Sequence, residues 1–74
     1  MVTHEDVLAA LADIAQSTPP ADIKLDVPLA KQGFDSLDIA SLMFALESKY
    51  NKPIPPEKSA RLRSILDITS FLNS

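Results

Sequence analysis

Groups able to do covalent chemistry on their own are scarce in this sequence. His4 is the only histidine and lies near an end expected to fray, a poor place for a general base that must be held within hydrogen-bond reach of its proton. There is no cysteine, which excludes a thiolate nucleophile, a disulfide framework and a cysteine-ligated zinc site, and makes a reducing, cytoplasmic setting the default. Asp22, Asp26 and Asp35 are not spaced like a calcium loop, which wants acids at alternate positions followed by Gly. One glycine, Gly33, cannot make a phosphate-cradling glycine-rich loop. No catalytic residue and no metal ligand is assigned. If the protein takes part in chemistry, it must borrow the reactive group.

The place to carry such a group is Gly33-Phe34-Asp35-Ser36-Leu37-Asp38. Asp35 is a good N-cap with Asp38 at the third helical position, so Ser36 falls at the first. Backbone N–H groups without intrahelical partners lie there, at the positive end of the helix dipole, and an attached phosphate is well tolerated. Gly33 lets the chain turn sharply into the helix. The same hexamer also reads simply as a helix start.

The elements that must position Ser36 are helical. Thr3 followed by Asp6 resembles a capping box. Val7, Leu8, Leu11, Ile14 and Ala15 then recur at helical spacing until Thr18-Pro19-Pro20 stops the helix. From Thr18 to Phe34 no helical stripe runs, and the segment reads as a long ordered loop held by Ile23, Val27 and Leu29. From Ser36 to Tyr50 no Gly or Pro intervenes, and Asn51-Lys52-Pro53 ends that helix. Pro55-Pro56 opens a short helical turn around Glu57 to Arg61. Ser64 with Asp67 starts a last helix through Ile65, Ile68, Phe71 and Leu72. The expected fold is all-α, a small four-helix bundle of three longer helices and one short one, with a long loop between the first two.

At 100° per residue the central helix has apolar residues on two sides. Ile39, Leu42, Met43, Leu46 and Tyr50 form one stripe, the core face. Leu37 and Phe44 lie opposite, beside Ala40, Ser41 and Ser48. So little chain is available to cover a second apolar face that a docking patch next to Ser36 is expected, unless the long loop covers Phe44.

With 74 residues, the chain holds one domain, 1–74, and no large catalytic cleft. No stretch approaches the apolar length of a membrane span, and the acid-bearing start MVTHEDV is unlike a signal peptide. Net charge is −3, which argues against nucleic acid as a partner. The charge is polarised: residues 1–38 hold seven acids and two bases, net −5, whereas 39–74 hold three acids and five bases, net +2.

Gly33-Phe34-Asp35-Ser36-Leu37-Asp38, then Leu42, Ala45-Leu46-Glu47 and Pro53-Ile54-Pro55, resemble an acyl carrier protein of the phosphopantetheine-binding family, over nearly the whole chain. The resemblance implies that Ser36 is where a phosphopantetheinyl transferase attaches 4'-phosphopantetheine from coenzyme A, and that cargo rides on the terminal thiol as a thioester. Ser36 would act as a nucleophile only in the transferase's active site, so the chain itself is not an enzyme. Asp35 and Asp38 would interact with the transferase, and Leu37, Ala40 and Phe44 match the family's partner-facing positions.

Members serving fatty acid synthesis usually have a more acidic central helix. Here Ser41 and Ser48 stand at places often held by glutamate, and Lys49, Lys52, Arg61 and Arg63 make the later part basic. A free-standing monomeric carrier for a specialised pathway is expected, loaded by an acyl- or aminoacyl-specific ligase or acyltransferase and unloaded by a downstream synthase or transferase. The alternative, from a different class, is an unmodified helical interaction module docking through Leu37 and Phe44.

Overall fold

The computed structural model describes residues 1–14 and 22–74. In chain order it has α1 (His4–Ile14), a 3-10 helix (Leu29–Gln32), α2 (Ser36–Tyr50), α3 (Pro56–Ser59) and α4 (Ile65–Leu72). No strand occurs among the described residues, and the all-α bundle holds. Its Cα radius of gyration, 10.9 Å, is near the roughly 11 Å of a folded chain this long, so the helices close on one another.

The start of each longer helix is written locally. Thr3 N–H donates to the Asp6 carboxylate (2.9 Å) and Asp6 N–H to Thr3 Oγ1 (3.2 Å), closing the expected capping box. The donated backbone hydrogen bond from Thr3 holds the Asp6 carboxyl below the usual carboxylate range. Full capping boxes also open α2, through Asp35 and Asp38, and α4, through Ser64 and Asp67. Asn51, left-handed at φ 51°, ends α2. The expected stop at Thr18-Pro19-Pro20, and Ala15, lie outside the described residues.

Packing follows the apolar stripes. Val7 and Leu11 of α1, Leu42, Met43 and Leu46 of α2, and Ile65, Ile68 and Leu72 of α4 are buried together, with Ile39, Tyr50 and Phe71 packed at the margin. Helix α1 packs on both α2 and α4. The chain's beginning does not fray freely: the Asn73 side chain accepts from Val2 N–H and donates to Val2 C=O, each at 2.8 Å.

The loop before α2 needs three corrections. First, it contains a 3-10 turn over Leu29–Gln32 where none was expected, because such a turn has no apolar periodicity to announce it. Second, Ile23 and Leu29 are buried as anchors but Val27 is only half-buried. Third, polar bonds share the anchoring: the Gln32 side-chain amide accepts from Lys24 N–H and donates to the carbonyls of Lys24 and Val27, all within 2.9 Å. In addition, α3 ends at Ser59, short of the expected Arg61.

Candidate functional site

Two anchors and one turn deliver the chain to Ser36. Leu29 is buried and its N–H donates to Arg63 C=O (2.8 Å), tying the 3-10 turn to the connection before α4. Gly33 follows in the left-handed region at φ 94°. A Cβ there would meet nothing within 4 Å, so backbone conformation rather than space demands glycine. Phe34 is then buried, pinning the residue before the cap.

At the start of α2, Asp38 N–H donates to Asp35 Oδ1 (2.8 Å) and Asp35 N–H to Asp38 Oδ2 (3.3 Å). Both carboxylates are thus engaged in holding the helix start, where Ser36 occupies the first helical position and is exposed. Ser36 N–H and Leu37 N–H belong to the first turn, where no intrahelical acceptor exists. The arrangement offers a hydroxyl in solvent, above backbone donors, on a rigid support. It offers no base: His4 is the exposed first residue of α1 and forms no part of this site.

Beside Ser36 an open groove of about 630 Å³ runs between α2 and the segment carrying α3, within the size range of small-molecule sites. Ile39, Met43, Ile54 and Leu62 give it apolar walls, and Lys31 and Arg63 also line it. Ala40, assigned to the docking side, is exposed and lines the groove as well, so it stands on the border between the two surfaces. Such a groove can shelter an apolar chain tethered at Ser36. Sequence reasoning did not find it, because its two walls lie in residues 28–43 and 54–63 and meet only through the tertiary fold.

Leu37 is 76% exposed and Phe44 70%. They stand seven positions apart on α2, about 10 Å along its axis. Among the described residues the loop before α2 leaves Phe44 exposed, as the angular layout of the helix predicts. Exposed Ser41 and Ser48 stand on the same helix.

The later basic residues are not equivalent. Lys52 is half-buried, donates from Nζ to Ser74 C=O (2.7 Å), and lies 5.0 Å from the centre of the Phe71 ring. It serves the end of α4. Lys49 and Arg61 are exposed, and Arg63 lines the groove.

A family model for the phosphopantetheine attachment site matches residues 5–72. The chain is 35% identical to the acyl carrier protein of Helicobacter pylori (strain J99), over 97% of this chain and 92% of that one. It is 33% identical to the acyl carrier proteins of Campylobacter concisus, over 97% and 94% of the two chains, and of Campylobacter jejuni subsp. doylei, over 100% and 96%.

Proposed function

The chain belongs to the acyl carrier proteins of the phosphopantetheine-binding family, and from that premise we propose that Ser36 is its attachment residue. The family bears 4'-phosphopantetheine covalently and is not enzymatic. Once attached, the group supplies a terminal thiol on a long flexible arm. The chain's own residues do the rest. Asp35 and Asp38 fix the first turn of α2, Gly33 and Phe34 fix the approach, and Ser36 Oγ is held in solvent, where a phosphopantetheinyl transferase can close on it. Leu37 and Phe44 provide apolar area for acyl-handling enzymes, with Ala40 between them.

The observation that carries this reading is the exposure of Ser36 at the first position of a doubly capped helix, with a groove on one side of that helix and apolar residues exposed along it. Coexpression with a transferase, followed by intact mass and peptide mapping, tests it. One phosphopantetheine per chain, on Ser36, is expected. An unmodified chain would favour the plain interaction module docking through Leu37 and Phe44.

The finer reading is a dedicated pathway rather than bulk fatty acid synthesis. Ser41 and Ser48 leave the outer face of α2 without the carboxylates that a basic enzyme surface would seek, and Lys49 and Arg61 add exposed positive charge further along. Rim charges act mainly on association rate. A partner matched to this carrier would show a mixed rather than uniformly basic surface, and aminoacyl and acyl cargoes both remain compatible with the same thiol.

A further inference from the structure

The two sides of Ser36 carry opposite charge. On the cap side stand Asp35 and Asp38, whose carboxylates are engaged by backbone N–H groups. On the groove side stand Lys31 and Arg63, and no Asp or Glu lines that groove. Lys31 and Arg63, both exposed, are the two charged residues that line an otherwise mostly apolar groove, and Ser36 lines the same groove.

Tertiary structure rather than sequence proximity places both cations on this groove. Leu29 N–H donates to Arg63 C=O, setting the 3-10 turn that carries Lys31 against the connection that carries Arg63. Arg63 N–H in turn donates to the Asp67 carboxylate (3.3 Å). The backbone of Arg63 therefore does the tying, and its side chain can be exchanged without cutting the tie.

We propose that Lys31 and Arg63 receive the phosphodiester of the arm on Ser36 and so turn the arm into the groove instead of along the exposed apolar face. This rests on Ser36 being the attachment residue. A phosphodiester is a permanent anion once attached, it sits directly on Ser36, and the neighbouring Asp35 and Asp38 carboxylates repel it from the other side. Guanidinium and ammonium groups are the donors such an oxygen pair takes most strongly. The occupant is thus the arm itself, its phosphate end at the two cations and its later part against Ile39, Ile54 and Leu62.

The test compares apo and holo forms of the whole chain by intact mass and by amide chemical shifts. In the wild type, attachment should move the amides of residues 60–63 as well as those at the start of α2. In the Lys31→Gln/Arg63→Gln double variant, the change at 60–63 should fall to the level seen in α1, while the change at Ser36 and Leu37 persists. The exchange Lys31→Arg with Arg63→Lys should restore it, and high salt should suppress it in the wild type, since these exposed charges are screened. Full modification with shifts at 60–63 that are absent in the wild type, or unchanged in the double variant, overturns the proposal and leaves Ser36 as the site. Absence of any mass gain overturns both.

Discussion

Helices α2 and α4 begin with the same device and are used differently. Each opens on a capping box closed by an aspartate three residues beyond the cap. Behind the box, α4 places buried Ile65 at its first position, whereas α2 places exposed Ser36 there. Along their lengths the contrast continues: α4 buries Ile65, Ile68, Thr69 and Leu72 within eight residues, while α2 buries Leu42, Met43 and Leu46 and leaves Leu37 and Phe44 in solvent. The same capping arrangement, built on an aspartate at α2 and a serine at α4, thus serves one helix that begins in the core and one that begins in solvent. A cap shows where a helix starts; the residue just after it shows what the start is for.

The sharpest way to break this comparison is Ser36→Ala. Modification should be lost completely, read by intact mass after coexpression with a transferase, while thermal unfolding stays close to wild type, because Ala is at least as good a helix former. A variant still modified at full stoichiometry would remove the distinction drawn at the first position of α2.

Next in size are the two faces of α2. Leu46→Ala should cost about 2 to 5 kcal/mol as a truncation of a fully buried side chain. Phe44→Ala, exposed, should cost no more than about 0.5 kcal/mol, yet slow loading by a partner enzyme far more than Leu46→Ala does at temperatures where both are folded. Denaturant unfolding and loading rates, measured together, separate the two.

The limits of these elements were legible where the signals are local. Asp35 with Asp38, Ser64 with Asp67, and Asn51 lie within a few residues of the ends they mark. The exposure of Leu37 and Phe44 followed from angular position and the shortage of chain to cover them. What stayed hidden was everything made by distant partners. Gln32 bonds the loop at Lys24 and Val27, Asn73 clasps Val2 across the chain, and a backbone hydrogen bond ties Leu29 to Arg63. Neither residue type nor spacing in the loop announces such ties, because a side-chain amide standing in for a strand partner has no periodicity. The exposed serine at the start of α2 could be picked out from sequence. The groove beside it could not.

The caps themselves supply a smaller test. Asp35→Ala and Ser64→Ala should each cost about 1 kcal/mol by chemical denaturation. Only Asp35→Ala should also slow modification, because only its cap holds Ser36, the residue proposed for attachment. Equal slowing by both would mean that general loosening of the bundle, rather than the local cap, governs modification.

The smallest effect concerns the third capping box, at α1. Thr3 N–H donates to the Asp6 carboxylate and holds its carboxyl below the usual range. A carboxyl depressed in the folded state stabilises that state above its unfolded pKa, about 3.9, and the contribution fades as pH falls through the lowered folded value. Acidification from neutral should therefore leave the start of α1 intact until pH drops below about 4, and only then loosen it, by a modest amount since Asp6 is well solvated. Hydrogen exchange at Asp6 and Val7, whose N–H groups bond Thr3 Oγ1 and Thr3 C=O, follows this directly. In Asp6→Asn, which keeps an acceptor but no charge, exchange at the same amides should lose its acid step while the core amide of Leu11 is unaffected. An acid step of unchanged size in that variant would assign it to another carboxylate, and would leave the start of α1 held by its hydrogen bonds alone.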